Sequence, residues 1–183
     1  MSTSAKHKRA AIIYFPGRID RKKLDAAVGQ ALSSLRWEPS LWLPTNPDET
    51  GGQQALRAVA QNATHLLIAG GDGTVRSVLD ALAREEITGV TVGIIPIGTG
   101  NALARNLKLE LTNINVAVKR ALLGNRHPID LGLAKVIRPD GEREEIHFCV
   151  MGGLGLDAKI MQNTNARLKK AIGWVAYFEG GIR

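Results

Sequence analysis

The 183 residues carry 24 Lys and Arg against 17 Asp and Glu, a net charge of +7, with 44% hydrophobic residues and a single cysteine. That much apolar material packs one domain, or one domain and part of a second, and excludes a disordered chain. One cysteine excludes an internal disulfide and a cysteine zinc cluster, and aromatic residues at 4% leave the basic clusters without the stacking platform of a nucleic-acid protein.

Met1 to Arg9 is polar and basic, has no apolar segment of a secretory leader, and is expected to be a disordered lead-in in a cytoplasmic setting. No apolar run reaches the roughly 20 residues that cross a bilayer. Ala10 to Phe15 reads as a buried strand ended by Pro16-Gly17. Leu24, Ala27, Val28, Ala31, Leu32 and Leu35 recur at helical spacing, with Asp20 placed to cap. Leu41 to Leu43 is a brief second strand, Pro44 to Gly52 a loop, and Leu56, Val59, Ala60 and Ala63 the stripe of a second helix.

A pair of similar units follows. His65 to Ala69 is a strand running into Gly70-Gly71-Asp72-Gly73-Thr74 and a helix from Val75 to Arg84. Val90 to Ile97 runs into Gly98-Thr99-Gly100-Asn101 and a helix from Ala102 to Leu107. A helix from Asn113 to Leu123 closes on Gly124-Asn125. Beyond His127, residues 128–137 and 144–151 read as two strands of a hairpin turning at Pro139-Asp140-Gly141, and the chain from Ala158 onward reads as helical. The alternation predicts an α/β fold, a doubly wound and mostly parallel sheet with helices on both faces. We divide it into a lead-in at 1–9, an α/β domain at 10–126 and the start of a β-rich domain at 127–183.

A strand feeding a glycine turn that opens a helix is an arrangement for holding phosphate. The first N–H groups of a helix are unpaired and partly positive, and glycine lets the backbone approach the anion. Asp72 is informative here, because a carboxylate repels bare phosphate. It fits as an acid working through a divalent cation or on a substrate hydroxyl, or as a plain cap for the helix after it. Thr74 and Thr99 are candidate donors to phosphate oxygens.

Gly70-Gly71-Asp72-Gly73-Thr74, then Pro96-Ile97-Gly98-Thr99-Gly100-Asn101, then Met151-Gly152-Gly153-Leu154-Gly155-Leu156-Asp157-Ala158, resemble the three blocks of the diacylglycerol kinase catalytic domain. The resemblance runs from about Ala10 to the end. It implies transfer of the γ-phosphoryl of ATP to a lipid hydroxyl such as that of diacylglycerol, with Mg2+ and a peripheral place at the inner membrane face. It assigns Gly17, Thr45, Gly70, Gly71, Asp72, Gly73, Thr74, Val75, Arg76, Gly98 and Thr99 to the nucleotide, and Gly100, Asn101 and Asp157 to the acceptor cleft. Asp72 is the implied catalytic acid, meeting magnesium through water. The implied partners are ATP and a lipid alcohol at a membrane, with homo-oligomers left open and no nucleic acid. The family's second domain is larger than the stretch after residue 127, so the chain is expected to be an incomplete catalytic unit whose general base lies elsewhere. The sequence departs from the family at Phe15, where an asparagine normally precedes the proline.

Two other readings stay open. An NAD kinase shares the first block, though the Gly98 to Asn101 block disfavours it, and an inactive nucleotide-binding module suits a shortened second domain. The G-x-G-x-x-A spacing at Gly153 to Ala158 is not a dinucleotide fingerprint, because no second strand follows it. Asp140-Gly141-Glu142 reads as surface, Cys149 as a strand residue, and His65, His127 and His147 as structural. Trp174, Tyr177 and Phe178 beside Arg167, Lys169 and Lys170 suit either a helix packed on its own domain or a membrane-facing one.

Overall fold

The computed structural model describes residues 8–150. The chain divides into two compact units, Met1–Cys149 and Val150–Arg183, and the account that follows concerns the first. Its elements are β1 (Arg9–Tyr14), α1 (Arg21–Leu32), β2 (Glu38–Pro44), α2 (Gly52–Ala60), β3 (His65–Gly70), α3 (Asp72–Arg84), β4 (Thr91–Pro96), α4 (Ala102–Asn106), α5 (Ile114–Leu123), β5 (Gly132–Ile137) and β6 (Arg143–Phe148).

The first four strands form one parallel sheet in the order β2-β1-β3-β4. Alternate residues of the central strands serve opposite faces. Ala10 and Ile12 of β1, with Leu67 and Ala69 of β3, pack under Leu24, Ala27 and Val28 of α1 and Ala117, Val118 and Leu122 of α5. Ala11 and Ile13, with Leu66 and Ile68, pack under Ala55 and Ala58 of α2 and Val75, Val78 and Leu82 of α3. Burial on both faces is why all six residues of β3 are inaccessible and why its sequence after His65 is apolar throughout. The predicted fold class is therefore the one observed.

Several bounds differ from those the sequence suggests. β2 starts at Glu38 rather than Leu41; as an edge strand with exposed residues at its start it lacks the apolar signature there. α2 starts at Gly52, four residues before its visible stripe, because Gly51 at φ 135° turns the chain into the helix and Gln54 is buried in its first turn. α3 starts at Asp72, inside the glycine motif. The expected cap of α1 is present, Lys22 N–H donating to Asp20 Oδ1 at 2.8 Å, and Asn113, read as the first helical residue, instead caps α5, its Oδ1 accepting from Asn115 and Val116 N–H at 3.0 and 3.3 Å.

β5 and β6 pair antiparallel as a sheet of their own, turning through Arg138 to Glu142 with Gly141 at φ 87°. Among the described residues no helix is long and apolar enough to cross a membrane.

The strand order fixes where a ligand can go. From β1 the chain crosses to β2 on one side and returns to β3 on the other, so the connections leave the carboxyl ends of β1 and β3 in opposite directions. The crevice at such a reversal is the ligand position of open α/β sheets. Gly17 follows β1 and Gly71 follows β3.

Candidate functional site

The two glycine turns meet at this crevice. Gly71 and Gly98 touch backbone to backbone: a Cβ built on Gly98 would lie 2.5 Å from Gly71 Cα, and one on Gly71 would lie 3.2 Å from Gly98 Cα. Ile97 N–H donates to Gly70 O at 3.2 Å, which holds the second turn beside the end of β3. Gly70 is buried under the Thr74 side chain, 2.7 Å from where its Cβ would be. A side chain on Gly98 would drive into the Gly71 backbone, and one on Gly71 would press the second turn outward by a few tenths of an ångström.

The N-terminus of α3 lies at this junction. Gly71 is its N-cap and offers no side chain, and the first intrahelical bond runs from Val75 N–H to Gly71 O at 3.1 Å. The N–H groups of Asp72, Gly73 and Thr74 therefore have no partner within the helix. Nothing lies within 4 Å of a Cβ built on Gly73. Val75, by contrast, spends its N–H inside the helix and buries its side chain in the core, whereas Arg76 beside it is exposed.

The second turn is closed by its own asparagine. Asn101 is 8% exposed and left-handed at φ 50°; its Oδ1 accepts from Gly98 N–H at 2.9 Å and its Nδ2 donates to Gly98 O at 2.7 Å. The Asp72 carboxylate reaches across to this turn, its Oδ1 accepting from Ala102 N–H at 2.6 Å. Asp72 is thus not the side-chain cap of the helix that follows it.

Thr45, at the end of β2, is 5% exposed, and both its N–H and its hydroxyl donate to Tyr14 O, at 2.8 and 3.3 Å. The hydroxyl is turned into the sheet. Gly17 is exposed in a tight turn closed by Arg18 N–H to Phe15 O at 3.1 Å. Asp157 lies outside the described residues.

Three residues outside the set assigned from the sequence belong to the neighbourhood, among them Arg105, which the sequence alone reads as a surface charge. Arg18 Nη1 donates to Thr99 Oγ1 at 3.2 Å, bringing the end of β1 onto the second turn. Arg105 Nε donates to Gly100 O at 2.8 Å. Gln54 Nε2 donates to Pro44 O at 2.9 Å and Glu49 O at 3.2 Å, shaping the loop after Thr45. Only a basic residue directly after Gly17 signalled the first; the partners of all three are set by the fold.

The exit of β6 approaches the same place. Cys149 packs on the cluster that contains Val75 and Ile13. Burial pushes its thiol pKa up, and the Asp72 carboxylate adds to that rise. Among the described residues no group of three or more His, Cys, Asp or Glu gathers as a metal site.

A parallel α/β sheet with paired glycine turns at its reversal point defines a class of phosphate-binding proteins. Within that class, the diacylglycerol kinase catalytic domain family matches residues 16–134, and the chain belongs to it. It is 31% identical over 177 residues to a diacylglycerol kinase of Bacillus subtilis (strain 168), covering 96% of this chain and 55% of that one. It is 36% identical over 118 residues to a protein of Serratia proteamaculans (strain 568) named a probable lipid kinase, YegS-like, covering 64% and 36%. A crystal structure from Bacillus anthracis str. Sterne, described as a candidate diacylglycerol kinase, superposes with a TM-score of 0.66 at 26% identity, covering 97% of this chain and 56% of that one. The chain spans about half the length of these relatives where the match is most extensive.

Proposed function

We propose that this chain carries the ATP-binding half of a lipid kinase, which moves the γ-phosphoryl of ATP to a lipid hydroxyl such as that of diacylglycerol. The observation that carries the reading is the junction itself: two glycine turns in backbone contact, with the unpaired N–H groups of α3 opening on it. Phosphoryl transfer asks mainly for positioning and charge neutralisation. The Asp72, Gly73 and Thr74 N–H groups would cradle phosphate oxygens, with Thr99 beside them, and Arg18 and Arg76 would supply positive charge.

The donor set near these turns suits magnesium in one limited way. One carboxylate oxygen, Asp72 Oδ2, is available for a water-bridged contact, so most of the ion's ligands would be phosphate and water. Bound there, magnesium would neutralise charge building on the phosphate oxygens. Asp72, Gly100 and Asn101 would border the side from which the hydroxyl approaches, and Asp157 is carried to that side by its sequence block alone. The hairpin β5–β6 is read as opening the β-rich domain, from residue 127 on, that completes the acceptor side, with the enzyme working at a membrane surface.

The test follows the label of γ-phosphate-labelled ATP onto diacylglycerol in vesicles and, separately, onto NAD. Label in the lipid supports the reading. Label on NAD alone replaces it with a nucleotide kinase. ATP held without transfer to either assigns this chain the binding half only.

A further inference from the structure

Asp72 belongs to the first glycine turn, yet its carboxylate is bonded to the second. Its Oδ1 accepts from Ala102 N–H at 2.6 Å across 30 residues of chain. Ala102 opens α4, and the residue that would ordinarily cap such a helix is Asn101. Asn101 is unavailable: it is left-handed, and its side chain is committed at both ends to Gly98. The helix start has been handed to an acid from another element. The turn between them is shaped to admit that acid, since a Cβ on Gly100 would lie 2.9 Å from Asp72 Oδ2.

We infer that Asp72 is a positioning residue, a strut that fixes the Gly98–Asn101 turn and α4 against α3 so that the two turns act as one rigid cradle. This rests on the nucleotide reading of the site. In this role the oxygen matters and the negative charge does not. Asparagine at 72 can accept the Ala102 N–H; alanine cannot. A role through a cation makes the opposite demand, because it needs the charge and vanishes when no metal is present.

Metal-free nucleotide separates the two. ADP in excess chelator is titrated into wild type, Asp72→Asn and Asp72→Ala, and amide exchange at Ala102 is read by NMR in each without nucleotide. In Asp72→Ala, Ala102 exchange quickens and metal-free ADP affinity falls, each by roughly two- to tenfold, the range for losing one uncharged hydrogen bond. Asp72→Asn stays near wild type in both. If Asp72→Ala does not fold, Asp72→Ser, whose hydroxyl is too short to reach, replaces it. The strut is overturned if removing the carboxylate leaves Ala102 protection and metal-free affinity unchanged, or if Asp72→Asn loses both as fully as Asp72→Ala. Should wild type ignore metal-free ADP, Ala102 exchange still decides the strut, and titration of MgATP decides the nucleotide reading.

Discussion

Asp80 of α3 holds His147 of β6 twice: its Oδ1 accepts from the His147 backbone N–H at 3.1 Å and lies 2.9 Å from the ring Nδ1. Arg84, one turn along, donates from Nε to the other Asp80 oxygen at 2.8 Å and from Nη2 to Glu145 O. A two-stranded hairpin is marginal by itself. These bonds tie it to the helix whose other end forms the first glycine turn. The Asp80 and His147 side chains are 20% and 15% exposed, so the bonds are partly shielded from water. Asp80→Ala is expected to lower stability by about 1–3 kcal/mol in denaturant unfolding and to speed amide exchange at His147. An unchanged His147 amide would mean that the hairpin is held by something else.

At the far end of β3, His65 governs a pH response. It is 3% exposed, its ring lies 4.5 Å from that of Trp37, and it stands 2.9 Å from Thr64 Oγ1 and 3.2 Å from Arg126 Nη2. Arg126 can only donate, so Nε2 accepts and the proton sits on Nδ1. Burial first, then the charges of Arg126 and Lys8, push the His65 pKa down to about 4. The folded state therefore prefers the neutral ring. This contribution is intact above pH 6.5 and is lost as pH falls from there towards 4, because the unfolded chain takes up the proton first. The loss amounts to about 3 kcal/mol at most. Stability measured from pH 7 to 4 should fall in wild type and fall less steeply in His65→Gln.

Glycine is required at one position and dispensable at another. Gly98→Ala sets a Cβ against the Gly71 backbone, which cannot give way. It should displace the second turn and weaken ATP binding by roughly tenfold or more, the effect of losing one or two phosphate contacts. Gly29, inside α1, has nothing within 4 Å of an added Cβ. Gly29→Ala should raise stability by about 0.5–1 kcal/mol and leave ATP affinity unchanged. Equal effects of the two substitutions on binding would contradict the contact between the turns.

Arg18 gives a salt-dependent prediction. Its exposed side chain contributes little to stability, so Arg18→Ala should shift unfolding by no more than about 0.5 kcal/mol. Placed on Thr99 beside the phosphate position, it should still matter to ATP. The expected loss of affinity is roughly tenfold at low ionic strength and shrinks as salt screens the charge. Isothermal titration at two salt concentrations reads it.

The parallel sheet was legible because β1 and β3 are buried on both faces and so read as apolar runs, while α1 announces itself by stripe and cap and α2 by its stripe. The two turns were legible as phosphate loops, since Gly70, Gly71, Gly73, Gly98 and Gly100 have few other uses so close to strand ends. What they do to each other was not. The Asp72–Ala102 bond, the Gly71–Gly98 contact and the Arg18–Thr99 bond join positions far apart in sequence, and only the order β2-β1-β3-β4 brings them together. Thr45 shows the converse. Its place after β2 suits a ligand hydroxyl, but the Tyr14 carbonyl, which already accepts the Thr45 N–H, lies nearer and takes it.

The central claim is that the junction of the two turns binds nucleotide. Calorimetric titration of MgATP into wild type and into Gly71→Val tests it most directly. Saturable binding by wild type, lost in a Gly71→Val chain that keeps its fold, is the predicted result. A folded wild type that takes up no ATP, or a Gly71→Val variant that binds as well as wild type, would contradict it.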